Sequence, residues 1–87
     1  VKDNKMAKEL LKFQAEWCGP CKALTHIIDD EDLGVPVRVI DIDEDMDTPK
    51  MYGIRGVPTL VLIDGGKELK RITGVKTLAA LKEWLGD

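Results

Sequence analysis

Two cysteines three positions apart, Cys18 and Cys21, are the only ones in an 87-residue chain. Bridged to each other they would staple only a tiny loop, so the chain cannot be a disulfide-held scaffold and must bury a conventional core. One compact domain over residues 1 to 87 is the expectation at this length, and chains of this size do fold unaided. The cysteine pair also marks a change of local structure. Before it, Leu10 to Ala15 reads as a strand, with Leu11 and Phe13 on one face and Lys12 and Gln14 on the other. After it, Ala23, Leu24, Ile27 and Ile28 recur at three- and four-residue spacing, the apolar stripe of a helix. That helix should end in the acidic stretch Asp29 to Asp32, where carboxylates oppose the helix dipole.

The rest of the chain continues the alternation. Val35 to Ile42 is rich in β-branched residues and nearly continuously apolar, which predicts a strand covered on both faces. Strand, helix, strand in that order implies a parallel pair joined by a crossover. Thr48 and Pro49 suit the N-cap and first position of a short helix carrying Met51 and Tyr52. Thr59 to Ile63 predicts another strand, and Asp64-Gly65-Gly66-Lys67 a tight turn returning Glu68 to Thr73 antiparallel. Lys70 and Arg71 would protect that edge. A last helix opens near Thr77, buries Leu78, Leu81, Trp84 and Leu85, and stops at Gly86. The predicted order is βαβαββα: an α/β fold with a four-stranded mixed sheet flanked by helices. Residues Val1 to Lys5 are polar and precede Met6; they are read as a disordered leader and excluded from the fold argument.

The spacing of Cys18 and Cys21 is itself a chemical device. Two sulfurs close a disulfide when their Cα atoms lie about 4.4–6.8 Å apart, which residues three apart on a first helical turn satisfy. A helix N-terminus offers unsatisfied N–H groups and partial positive charge, which favour thiolate at Cys18. Thiolate is the attacking species in disulfide exchange. Cys18 would attack a substrate disulfide, and Cys21, one turn deeper, would resolve the mixed disulfide. Pro20 fits an early helical position because the N–H it lacks would be unsatisfied there. The same spacing is also half of a zinc site, but a closed site needs four ligands. The chain offers two cysteines and one histidine, so a carboxylate would have to complete it, and no metal is expected. His26, half-buried on the same helix, reads as a packing or surface residue.

A second cluster, Gly56-Val57-Pro58-Thr59, stands directly before a strand. A proline there is an ordinary edge or turn residue. Alongside the cysteine motif, a cis Val57–Pro58 bond is the sharper reading, since such bonds serve tight local geometry. It would present the Val57 backbone to an extended substrate chain beside the disulfide.

Composition removes other classes. The net charge is −3 and the basic residues are scattered, so neither nucleic acid nor an anionic membrane is an expected partner. No apolar run approaches the roughly 20 residues that span a bilayer, and no leading segment resembles a signal peptide. A cytoplasmic, monomeric protein is expected. The acidic run Asp41, Asp43, Glu44, Asp45 and Asp47 reads as a solvated loop, or as a steering surface for basic partners; it lacks the glycine and spaced glutamate of a calcium loop.

Phe13-Gln-Ala-Glu-Trp-Cys-Gly-Pro-Cys-Lys22 resembles the active-site segment of the thioredoxin family. Tyr52-Gly-Ile-Arg-Gly-Val-Pro-Thr59 resembles its cis-proline segment. The resemblance covers roughly residues 10 to 86. It implies a thioredoxin-like fold and a protein-disulfide oxidoreductase with no bound cofactor beyond its redox-active cysteines. Cys18 would be the nucleophile and Cys21 the resolving thiol. Trp17, Gly19 and Pro20 would support the site, and Trp17, Gly56, Val57 and Pro58 would bind substrate. Disulfide-containing proteins would be the substrates and a flavoprotein disulfide reductase the electron donor. Glutathione is the alternative donor, because the length resembles a glutaredoxin, whose motif follows its first strand. Glutathione-using relatives carry Gly-Gly and an acid before the last helix, whereas here Thr73-Gly74-Val75-Lys76-Thr77 has one glycine and no acid. A binding module with incidental cysteines is the remaining alternative.

The chain departs from the family pattern at three points. The segment before the motif is too short for the strand and helix that open a full thioredoxin. His26 stands where a helix-kinking proline is common. Lys12 stands where the family places a buried acid, and Val39 where it places a lysine. Lys12 would either lay its stem along the sheet with its ammonium in water, or sit near Cys21 and stabilise thiolate there.

Overall fold

The computed structural model describes residues 8 to 86, so the expected leader at residues 1 to 5 lies outside the described residues. Seven elements follow in the predicted order: β1 (Lys8–Gln14), α1 (Gly19–Ile28), β2 (Val37–Asp41), α2 (Asp47–Met51), β3 (Thr59–Asp64), β4 (Lys67–Thr73) and α3 (Leu78–Gly86). The four strands form one sheet in the order β2-β1-β3-β4. β1 runs parallel to β2 and antiparallel to β3, and β3 and β4 form an antiparallel hairpin. The hairpin turn holds Gly65 and Gly66 at φ 61° and 87°, a left-handed pair that side chains would oppose.

Side-chain alternation along β1 and β3 divides the core between the two faces of the sheet. Leu10, Leu60 and Leu62 meet Leu24 of α1 and Leu81 of α3 on one face, with Ile27, Trp84 and Leu85 around them. Leu11, Phe13, Ile40, Val61 and Ile63 pack with Tyr52, Ile54 and Val57 on the other. The middle of each central strand is therefore buried on both faces. Two polar residues are buried there, Thr59 of β3 and Lys12, which lies among the core residues of β1 with 2% of its surface exposed.

Three local expectations are corrected. The strand predicted over Val35 to Ile42 is shorter and is not covered on both faces: Val37 and Val39 are 39% and 55% exposed, while Ile40 is buried. β2 is an edge strand, and its β-branched run reflects strand propensity rather than two-sided burial. Thr48 is not the cap of α2. Asp45 performs that task, its carboxylate accepting from the Asp47 N–H (3.1 Å), the Thr48 N–H (3.0 Å) and the Thr48 hydroxyl (2.7 Å). On α1, Leu24 is buried as expected, but Ala23 and His26 face solvent.

Candidate active site

β1 delivers the chain to the junction at Ala15, and the Cys18 N–H closes a turn back to the Ala15 carbonyl (3.1 Å). Cys18 is extended (φ −91°, ψ 105°) and occupies the N-cap of α1, with Gly19 and Pro20 opening the helix. Its sulfur takes the part of the oxygen in an ordinary cap, accepting the Cys21 N–H at 3.1 Å. One of the N–H groups that a helix start leaves unpaired is thereby aimed at Sγ of Cys18. Cys18 and Cys21 are joined in a disulfide with their Cα atoms 5.2 Å apart.

Both cysteines are nearly buried, at 4% and 2% exposure, and with Ala15 they form a small apolar cluster against Ile42 and Val57. Val57 belongs to the second motif, and its bond to Pro58 is cis. That loop is anchored on both sides: the Thr59 hydroxyl donates to the Gly56 carbonyl (2.7 Å), and the Gly74 N–H donates to the Pro58 carbonyl (2.9 Å). Two segments far apart in sequence thus meet at the disulfide. Trp17 is 68% exposed and its indole Nε1 donates to Asp43 Oδ2 at 2.9 Å. Trp17, Ile42, Pro49, Ile54, Arg55, Gly56 and Val57 line a groove of about 370 Å³.

Cys18, Cys21 and Val57 share one apolar cluster, and Trp17, Gly56 and Val57 line one groove. The reading in which the Lys12 ammonium reaches water is overturned. Lys12 is 2% exposed, and its Nζ donates to Gln14 Oε1 and to Thr25 Oγ1 of α1, which stands over that stretch of β1. Burial holds the Lys12 ammonium below the ordinary lysine range. The Thr25 hydroxyl in turn donates to the Cys21 carbonyl at 3.0 Å. Gln14, Cys21 and Thr25 also share the lining of a cavity of about 400 Å³.

Three contributors escape a reading of the sequence. Asp43 reads only as part of an acidic run, and nothing in a local pattern signals that it reaches Trp17 from 26 positions away. Ile42 reads as a strand end, yet it closes the apolar cluster beside the disulfide. Thr25 sits four residues after Cys21, a helical spacing that is the available signal for placing it on the same face. Among the described residues no cluster of three or more histidine, cysteine or acidic side chains is placed to hold a metal ion. Among them, too, no helix is long and apolar enough to cross a membrane.

A disulfide closed across the first turn of a helix, packed against a cis-proline loop at the end of a mixed sheet, defines a site for thiol–disulfide exchange. The family model described as thioredoxin matches residues 1–87. The thioredoxin of Rickettsia conorii is 39% identical over 97 aligned positions, covering 98% of this chain and 92% of the relative. That of Pseudomonas aeruginosa is 43% identical over 68 positions, covering 72% and 63%. Among solved structures, a mutant thioredoxin from Halobacterium salinarum superposes with a TM-score of 0.84 at 36% identity, covering 94% of this chain and 74% of that one. Thioredoxin NaTrxh from Nicotiana alata does so with a TM-score of 0.81 at 31% identity, covering 98% and 78%. The chain belongs to the thioredoxin family. Its activity is that of a protein-disulfide oxidoreductase, with Cys18–Cys21 as the active-site disulfide.

Proposed function

We propose that this protein reduces protein disulfides in the cytoplasm as a single-domain monomer, with Cys18 as nucleophile and Cys21 as resolving thiol. The observation that carries the assignment of roles is the Cys21 N–H directed at Cys18 Sγ. A donated N–H and a helix N-terminus stabilise negative charge on Cys18 and not on Cys21, whose side chain lies inside the first turn. The Cys18 thiolate attacks one sulfur of a substrate disulfide. A mixed disulfide forms, and the other substrate sulfur leaves as thiolate and takes up a proton. Cys21, losing its proton, then attacks Cys18 Sγ. The Cys18–Cys21 bond forms and the second substrate thiol is released, so two electrons have passed from the protein to the substrate.

The groove between Trp17 and Val57 suits an extended apolar segment of the substrate, with the backbone at Gly56 and Val57 available to pair with it. The cis Val57–Pro58 bond lies beside that backbone, and the Asp43 hydrogen bond holds the Trp17 ring at the rim. Oxidised protein is recharged by a flavoprotein disulfide reductase. Gly74, at φ 83°, is the lone glycine before α3 and is used to tie the cis-proline loop, which leaves no Gly-Gly-acid signature for glutathione.

A trapping experiment tests the roles. Cys21→Ser should accumulate a covalent mixed disulfide between Cys18 and a disulfide-bonded protein such as insulin, and Cys18→Ser should accumulate none. Adducts on Cys21 in the second variant, at the rate of the first, would overturn the assignment. Turnover with NADPH and a thioredoxin reductase, but not with NADPH, glutathione and glutathione reductase, is the result expected for the donor.

A further inference from the structure

Lys12 is a large, fully buried side chain that the exchange steps above do not use. It stands between Leu11 and Phe13 on β1, opposite Leu60 of β3, and 2% of the residue is exposed. A lysine is almost never buried so completely without an acid beside it. Here the ion pairs among the described residues join other side chains, and the Lys12 ammonium is held by two neutral oxygens, those of Gln14 and Thr25. Both partners line the cavity that Cys21 lines, and Thr25 binds the Cys21 carbonyl directly.

On β1, Lys12 has Leu10 and Gln14 as same-face neighbours. On β2, Val37 and Val39 lie on the same face, with Asp41 opposite Gln14. On β3 the partner is Leu60. α1 contributes Thr25 and, toward Cys21, Lys22; Asp29, Asp30 and Glu31, beyond its C-terminus, line a second cavity together with Lys12 itself, while Glu16 lines the first. None of these carboxylates forms an ion pair with Lys12. Thr25 links the Lys12 ammonium to the backbone of Cys21, the residue whose sulfur gains negative charge in the redox cycle.

We propose that Lys12 is an electrostatic positioning group for the resolving thiol: it stabilises Cys21 as thiolate once the disulfide is open, so that the mixed disulfide is resolved faster. The inference rests on the dithiol–disulfide cycle proposed above. An opposite charge a few ångströms away typically favours an ionised group by about one to three pK units. At the low end that is about tenfold more thiolate at a given pH and, because a less basic thiolate is a weaker nucleophile, about threefold faster attack on Cys18. Linkage makes the effect reciprocal: ionising the opened Cys21 must favour the charged form of Lys12 by the same factor that Lys12 favours the Cys21 thiolate.

Two measurements test this. In reduced wild type and reduced Lys12→Met, the cysteine Cβ carbon shifts are followed against pH, and the decay of the Cys18 mixed disulfide is timed. In wild type alone, the Lys12 Cε carbon is titrated with the disulfide closed and then open. The expected results are a Cys21 titration about one pH unit higher in the variant, a mixed disulfide about threefold longer-lived, and a Lys12 titration at higher pH in the open form. A Cys21 titration that does not move, in proteins that both cycle, overturns the role of Lys12 and leaves the exchange reading intact. If Lys12→Met does not fold, the wild-type titration decides: identical Lys12 titrations in both redox states overturn the role. A wild type whose two cysteines never exchange with a substrate disulfide overturns both readings.

Discussion

Opening the Cys18–Cys21 disulfide should destabilise this fold only modestly. The bridge joins residues three apart in sequence, so the loop it closes is close to the smallest a disulfide can make. The chain-entropy relation then gives about 2 kcal/mol at 25 °C for a loop of about four residues, against about 3 kcal/mol for one of about fifteen. The native side of the balance changes little, because the α1 cap is made by Cys18 Sγ itself and a free thiolate can accept the same Cys21 N–H. For a domain of this size, about 2 kcal/mol corresponds to a melting shift on the order of 10 °C. By the same cycle, folding favours the disulfide by about 2 kcal/mol, or on the order of 40 mV relative to the unfolded dithiol. Urea unfolding of the oxidised protein, and of the same protein held reduced, reads the difference directly from the midpoints at constant m. A difference of about 5 kcal/mol, the upper end for a disulfide, would mean that the bridge staples the structure. A reduced form as stable as the oxidised one would mean that the fold does not favour the bridge at all. Either result would refute the reasoning.

Two further predictions concern the scaffold. Leu24→Ala leaves a cavity among Leu10, Leu60, Leu62 and Leu81 and should destabilise the protein by about 3–4 kcal/mol in chemical denaturation, a large share of the roughly 5–15 kcal/mol that domains possess. A loss below about 1 kcal/mol would contradict the packing described. The Asp45 carboxyl is held below its ordinary range, first by the Thr48 hydroxyl and then by the Thr48 N–H. With its folded value depressed, its contribution is present above the unfolded carboxylate range and is lost as pH falls through the folded value, so Asp45→Asn should flatten the acid limb of the stability–pH curve. A parallel acid limb in the variant would count against the cap.

The order of elements is legible in the sequence because each carries its own period and its own stop. The two-residue alternation of Leu11 and Phe13, the stripe of Leu24, Ile27 and Ile28, and the Gly65-Gly66 turn require no knowledge of distant contacts. The chemistry of Cys18 and Cys21 is legible for the same reason, since cap, proline and partner thiol all lie within one helical turn. What stays hidden depends on tertiary placement. Whether Val37 and Val39 are covered is decided by what packs beside them, not by their β-branching. Asp43 and Trp17 meet only after the chain has passed through α1 and β2. The burial of Lys12 is the hardest to read, because a lysine's long stem is compatible with either solvent or core until the position of Thr25 is known.

Reversible exchange between Cys18 and Cys21 is the central claim, and a redox titration tests it most directly. The protein is equilibrated in glutathione buffers of graded potential, its free thiols are trapped with an alkylating agent, and the products are weighed. The expected result is a reversible two-electron transition between the dithiol and the Cys18–Cys21 disulfide, with no lasting glutathione adduct. Cysteines that stay reduced across the whole range, or that resist alkylation until a chelator is added, would contradict it.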